Sequence, residues 1–363
     1  MDEIKEAFFK LKKDKNFIND LKELHKNYIR PSPLVYAKNL TEKLGAQIYL
    51  KNEVNHTAHK INHSVQALVA KYLKKRIIAE TAQHLATAAI CAKLGLECII
   101  YMKKDYDRQR PNVIYMELAA KVIPVFENQT LRDAVNAALK DLVNNSENTY
   151  YLLTACPNPY PSMNVYFQKI IEEVRKQLQT SPIAPLLQGE GKELLPDYMV
   201  ACVGSNALFF YDFLDEKSVK LIVEAKIKSL HAARFVNKKI FVEYKSYFIQ
   251  DNDQIKDTYS ISALDYSVSP QMAYLENIKR VEMTSATDDE TLNAVKTLMQ
   301  TEILPALESA HAVAHTIKLA PKLKKEQIIV CNLSGRDKDL FITAPEFDKK
   351  FIDFLNEYIK KYN

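Results

Sequence analysis

Glycine is nearly absent from this chain. The 363 residues hold six, where average usage gives roughly 25. That scarcity removes the residue tight loops use when the backbone turns to positive φ or passes close to a ligand. Long apolar runs are missing too. None approaches the roughly 18 residues of a membrane-spanning helix, and the opening stretch MDEIKEAFFKLKKDK lacks the apolar core of a secretory signal. Cys91, Cys98, Cys156, Cys202 and Cys331 show no CxxC spacing and mostly sit in apolar runs, which predicts reduced core thiols in a cytoplasmic protein. Charge of one sign is nowhere concentrated. The formal net charge of +5 is spread along the chain, so neither nucleic acid nor a membrane is an expected partner. There is no internal repeat and no low-complexity tract.

What is present reads as an α/β protein. A hydrophobic content of 47% and a charged content of 26% are those of a soluble globular chain. The length suits two domains or one large α/β unit. QIYLK (47–51) alternates like a strand, and RIIA, ECIIYM, KVIPVF, TYYLLT, MVACV, KLIVEA and QIIVCN are short apolar runs of strand type. Helical stripes lie between most of them, as in INHSVQALVAKYLKK (61–75), AQHLATAAICAKL (82–94) and TLRDAVNAALKDLV. Gly95 suits the stop of the second of these. Alternating strands and helices predict parallel sheets covered on both faces. TSPIAPLLQGEGKELLPD (180–197) is the best candidate linker. In such sheets ligands sit beyond the carboxyl ends of the strands. The loops that matter are therefore NEVNHTAHK, ETAQH, and those after MVACV and QIIVCN.

Each loop carries a residue whose chemistry stands out. Lys60 lies near the start of a helix, the positive end, where a purely structural lysine is misplaced. An amine in a partly dry pocket there can form a Schiff base with a carbonyl; the plainer alternative is a solvated surface lysine. Gly204, Ser205 and Asn206 open a helix after MVACV, where backbone N–H groups can cradle a phosphate or simply cap the turn. Glu80 ends the strand RIIA, and Thr81, Gln83 and His84 follow with groups able to hold a carboxylate; a capping role is the alternative. Ser334 follows QIIVCN and can face a ring nitrogen or make a local turn. His311 and His315 have metal-ligand spacing on a helix, but no third ligand is evident, which favours two helix-face histidines. Together these are the contributions that pyridoxal phosphate chemistry asks of a protein.

Nine motifs carry a further resemblance: HTAHKIN, RIIAETAQH, LGLECIIYM, NPYPSM, ACVGSNA, EAKIKSLHAARF, SISALDY, ILPALESAHA and LSGRDKD. In this order, from about residue 20 to the C-terminus, they resemble the tryptophan synthase beta chain family. The resemblance implies a type II pyridoxal-phosphate fold: two open, mostly parallel three-layer α/β domains with the active site in the cleft between them. The expected domains are 1–28 with 60–190, carrying a mobile closing segment over about 81–155, and 29–59 with 191–363, holding the cofactor phosphate. It also implies replacement of the hydroxyl of L-serine by indole. Lys60 would then be the Schiff-base lysine and the base at Cα, and Glu80 would assist loss of the hydroxyl and attack by indole. Thr81, Ala82, Gln83 and His84 would bind the serine carboxylate. His59, Gly204, Ser205 and Asn206 would lie at the cofactor phosphate, with Glu308 close to the ring and Ser334 at its nitrogen. Asp265 would pair with Arg108 on closure, and Arg132 would contact an alpha subunit in an alpha-beta-beta-alpha complex built on a beta homodimer. A monovalent cation, Na or K, is implied near the cofactor, with ligands that cannot be placed.

The departures from the family are systematic. HTGAHKIN, ETGAGQHG, GGGSN and SAGLDY in the family read HTAHKIN, ETAQHL, GSN and SALDY here. Each lost glycine removes up to about 3.6 Å of reach. If residues are missing between Thr57 and Ala58 or between Thr81 and Ala82, a Cα step above about 3.8 Å is expected. If the loops are truly short, the chain runs unbroken, and a relative that no longer holds cofactor, or a serine deaminase of the same fold, becomes the competing expectation.

Overall fold

The structure, a computed structural model, describes residues 2–25, 31–54, 57–81, 85–102, 110–125, 131–152, 170–181, 194–202, 220–224, 250–251, 254–255, 279–284, 286–299, 303 and 307–335. Along the first part of the chain run α1 (Asp2–Leu11), α2 (Lys15–His25), β1 (Leu34–Tyr36), α3 (Lys38–Leu44), β2 (Gln47–Val54), α4 (Thr57–Tyr72), β3 (Arg76–Thr81) and α5 (Leu85–Leu94). Next come β4 (Cys98–Met102), α6 (Arg110–Glu117), β5 (Lys121–Pro124), α7 (Leu131–Asn144), β6 (Thr149–Tyr151), α8 (Ile170–Gln179) and β7 (Tyr198–Cys202). The last are β8 (Lys220–Glu224), β9 (Gln250–Asp251), β10 (Gln254–Ile255), β11 (Val281–Thr284), α9 (Asp288–Leu298), α10 (Leu307–Leu319) and β12 (Ile328–Gly335). They form two compact units. Unit 1 is Met1–Tyr28, His59–Asn164 and Lys338–Asn363; unit 2 is Ile29–Ala58 and Val165–Asp337.

Unit 1 is built on a parallel sheet in the order β5-β4-β3-β6. Ile77, Ile78, Ile100 and Met102 are fully buried in it, as expected for strands covered on both faces. On α4, the residues Val65, Leu68 and Val69 are buried, and the Tyr150 hydroxyl of β6 reaches Gln66 at 3.5 Å. Helix α2 braces α4: Phe17 meets Tyr72 edge-on at 5.3 Å, and the Tyr72 hydroxyl donates to Asp20 at 2.9 Å. Helix α7 is tied to the sheet by Asp141, which accepts from Arg76 at 2.5 Å and from the Tyr101 hydroxyl at 2.9 Å. Burial alone would raise the Asp141 pKa; the bonds from Tyr101 and Arg76 outweigh it and hold the carboxyl below its ordinary range.

Unit 2 has a sheet in the order β1-β2-β12-β7-β8-β11, parallel except for β1. Ile48, Leu50, Met199, Val200, Val330 and Cys331 fill its centre. The Cys331 thiol meets Thr316 of α10, so the odd-numbered residues of β12 face that helix. The opposite face is covered by α8, reached by Lys51 of β2.

The apolar runs became strands at the expected places, and Gly95, at φ +68, closes α5. There the Leu96 N–H bonds to the Cys91 carbonyl at 2.9 Å and the Gly95 N–H to Ala92 at 3.1 Å, a Schellman stop. The described parts of residues 165–190 belong to unit 2, whereas the sequence-based boundary lies at 190. Glu173 and Gln177 of α8 bond Lys51 of β2, which ties that helix to the unit 2 sheet. Thr57 and Ala58 open α4. The Thr81–Ala82 junction lies outside the described residues.

Candidate active site

Parallel pairing of β2, β12 and β7 places their carboxyl ends at one edge of the unit 2 sheet. Three of the chemistry-bearing segments start from that edge. After β2 the chain enters α4, whose first turn carries His59 and Lys60. After Cys202, the end of β7, comes the Gly204–Asn206 turn, which lies outside the described residues. Ser334 is on β12 itself, in register with Glu53 of β2.

In unit 1, α4 leads along the chain into β3, which ends in Glu80 and Thr81. Gln66 of α4 accepts from the hydroxyl of Tyr150 of β6, a residue in register with Ile77 of β3.

Beneath the unit 2 edge is a buried polar floor that the sequence reading did not single out. Lys51 is fully buried, and its ammonium donates to the Ser32 carbonyl at 2.8 Å, to Glu173 at 2.8 Å and to the Gln177 side chain at 2.9 Å. Gln177 also donates to the Ser32 carbonyl at 2.8 Å. Glu53, 1% exposed, accepts from the Ser32 hydroxyl. Asn332 is equally buried and in register with Lys51. Period-two alternation puts Lys51, Glu53 and position 332 on one face of the sheet. The signal was legible: QIYLKNEV places a lysine and a glutamate on alternate positions of a strand that is central in the sheet. What it lacked was any hint of which face is dry.

The remaining expected site residues divide cleanly. Glu308 is the second residue of α10 and Arg132 the second residue of α7. Ala82, Gln83, His84, Arg108, Gly204, Ser205, Asn206 and Asp265 lie outside the described residues. His311 is a core group and His315 is half-buried. His311 is fully buried with Nδ1 at 3.0 Å from the Thr291 hydroxyl, and His315 sits at 3.0 Å from Thr284. Burial, and then the charges of Lys318 and Lys322, lower the His315 pKa to about 4. No metal-binding cluster exists among the described residues.

Known proteins resemble this chain in sequence and fold. A family described as "Pyridoxal-phosphate dependent enzyme" matches residues 25–335. A tryptophan synthase beta chain from Methylibium petroleiphilum is 44% identical over 97% of this chain and 90% of its own length. One from a Bradyrhizobium species is 45% identical over 93% of this chain and 88% of its own.

The chain belongs to the tryptophan synthase beta chain family of pyridoxal-phosphate-dependent enzymes.

A solved aspartate racemase, itself dependent on pyridoxal 5'-phosphate, matches 89% of the chain and 95% of its own at a TM-score of 0.64 and 12% identity, a likeness of fold. The protein is thus a pyridoxal-phosphate lyase of the type II fold. The residues present fit that cofactor. A lysine stands in the first turn of a helix, a serine ends a central strand, and the sheet below that serine carries buried polar groups where apolar ones would pack more cheaply.

Proposed function

We propose that the protein joins L-serine to indole, giving L-tryptophan and water. The observation that carries the proposal is an identity of 44–45% to tryptophan synthase beta chains over nearly the whole chain; Lys60 in the first turn of α4 and Glu80 and Thr81 at the end of β3 are its candidate groups. When bound, pyridoxal phosphate supplies an electron sink for the carbanion at serine Cα.

The chain's own groups do the rest. Lys60 would hold the cofactor covalently at its aldehyde carbon until the amine of serine displaces it, and the freed lysine amine would then take the proton from serine Cα and later return it. A serine hydroxyl is a poor leaving group, so Glu80 protonates it and it departs as water. Glu80 then accepts the proton released from indole C3 as the new bond to Cβ forms, which restores the acid. Thr81, Ala82, Gln83 and His84 hold the serine carboxylate. His59, Gly204, Ser205 and Asn206 hold the cofactor phosphate; Ser334 faces the ring nitrogen and Glu308 lies near the ring. Residues of about 81–155 close over the substrate and exclude water, with Asp265 pairing to Arg108. A monovalent cation assists the cofactor site.

The working form is a beta homodimer flanked by alpha subunits, with Arg132 at the alpha contact. Unit 1 supports a partner of this kind, since Ile114, Tyr115, Leu118 and Val143 are exposed at 49%, 61%, 79% and 76%.

The test is one assay of purified protein with serine, indole and added pyridoxal phosphate, beside Lys60→Ala. The expected result is tryptophan from the unmodified yellow protein and none from the variant. Tryptophan formation that survives the substitution removes Lys60 from its role. Pyruvate without tryptophan makes the protein a serine deaminase, and a colourless, inert protein makes it a non-catalytic relative.

A further inference from the structure

Two buried side chains of unit 1 make a contact that the functional reading leaves unused. His63 of α4 is 2% exposed and Thr87 of α5 is fully buried, and the Thr87 hydroxyl lies 3.3 Å from His63 Nδ1. The next residue of α4, Ser64, is fully buried too, with its hydroxyl 2.7 Å from Nε2 of His25, the last residue of α2. Further along, the buried positions are mostly apolar: Val65, Leu68 and Val69 on α4, and Ala88, Ile90 and Cys91 on α5. A buried polar pair adds little net stability over an apolar pair of the same shape. What it adds is geometry. Hydrophobic contact is non-directional, whereas a hydrogen bond sets a distance and a direction.

The His63–Thr87 bond ties together the starts of two helices. His63 stands three residues after Lys60, so positions 60 and 63 share a face of α4, about 4.5 Å apart along its axis. Thr87 is the third residue of α5 and stands three residues after His84. Side chains on a helix lean back towards its N-terminus, so the pair braces the first turns of both helices. Lys60 and the segment 81–84 are thereby linked within unit 1 by one short bridge.

We propose that His63 and Thr87 are positioning residues, which set the spacing between the start of α4 and the start of α5 and thereby the fit of L-serine between Lys60 and the segment 81–84. This rests on the roles given to those residues above. On that reading the amino end of serine is held beside Lys60 and its carboxylate at 81–84. A single carbon separates the two ends, so serine cannot stretch to follow a shift of one helix against the other. A misplacement of about 1 Å in such a site can cost a hundredfold in rate. The Ser64–His25 bond has a different duty. It anchors α4 to α2, which carries none of the candidate groups, so it holds the fold and not the substrate.

The experiment titrates the full-length protein, loaded with pyridoxal phosphate, with L-serine and reads the absorption of the cofactor. Thr87→Val removes the hydroxyl and keeps the shape. It is expected to weaken serine binding about tenfold and to leave the affinity for pyridoxal phosphate within about twofold. Ethanolamine, which has the same amine and hydroxyl but no carboxylate, is expected to bind the unmodified and Thr87→Val proteins alike. Thr87→Ser keeps the hydroxyl and is expected to hold serine affinity near the unmodified value. Ser64→Ala breaks the neighbouring bond and is expected to lower the midpoint of urea unfolding with serine affinity unchanged. Serine binding that is unaltered in Thr87→Val, or weakened as much in Ser64→Ala, overturns the proposal and leaves the pair a purely structural one. Should the valine variant not fold, His63→Leu takes its place with the same expected and overturning results. Failure of the unmodified protein to bind serine at all would instead overturn the functional reading itself.

Discussion

Lys74 occupies a backbone position that glycine ordinarily takes. Its φ is +55, and it closes α4 in the same way that Gly95 closes α5: the Lys75 N–H bonds to the Ala70 carbonyl at 2.9 Å and the Lys74 N–H to Lys71 at 3.0 Å. The left-handed region costs a side chain with a Cβ about 1 kcal/mol or more. Lys74→Gly is therefore expected to stabilise the protein by about 0.5–1 kcal/mol, read as a raised midpoint in urea unfolding; an unchanged or lowered midpoint would show that the lysine is accommodated without strain. The scarcity of glycine has a visible consequence here, since a stop normally made with glycine is made with lysine. Gly95 was legible as a stop from its residue type. Lys74 was not, because a lysine after a helix carries no sign of its φ.

At the scale of elements, β2 shows how a strand can be legible and its role hidden. Alternation in QIYLK marks a strand, but the same pattern fits a half-exposed edge strand or, as found, a central one whose Lys51 is sealed under α8. The partner that makes this burial tolerable, Glu173, is 122 residues away in sequence. Lys51→Met removes the cation and leaves Glu173, Gln177 and the Ser32 carbonyl facing an apolar chain. Breaking a buried pair in this manner costs about 3 kcal/mol or more, so a clear loss in chemical-denaturation stability is expected, and a change under about 0.5 kcal/mol would refute the account. Helix α9 offers a smaller, local case. Thr287 and Glu290 form a capping box: the Thr287 hydroxyl accepts from the Glu290 N–H at 3.2 Å, and the Glu290 carboxylate accepts from the Thr287 N–H at 2.7 Å. Thr287→Ala is expected to lower stability by about 1 kcal/mol, and Thr287→Asp, which can still cap, by less. This signal was readable, because its groups lie three residues apart.

The whole molecule carries a pH dependence with a histidine from each unit behind it. His25 of unit 1 bonds the Ser64 hydroxyl at 2.7 Å, and burial, followed by the charge of Lys93, lowers its pKa to about 4. His315 of unit 2 is lowered to about 4 as well. In the unfolded chain both take up a proton near pH 6.5. Between about pH 6.5 and 4 the unfolded state thus binds more protons, and stability falls as the pH falls. Above pH 6.5 both residues are neutral in either state and the contribution is complete. Melting temperatures at pH 7.5, 6 and 4.5 should decline across that window, and His25→Gln should make the decline shallower; an identical slope in the variant would remove His25 from the account.

The sequence by itself determined the alternation of strands and helices and the ends of several elements, because those follow from periodicity and from residues close together along the chain. It also carried the family, through motifs long enough to name Lys60, Glu80 and Ser334. Only the tertiary structure decided that Lys51, Glu53 and Asn332 share a buried face of the unit 2 sheet, that α8 packs with unit 2, and that His311 and His315 pair with threonines, the first in the core and the second half-buried. Burial is a property of what covers a residue, and the covering groups lie tens to more than a hundred positions away.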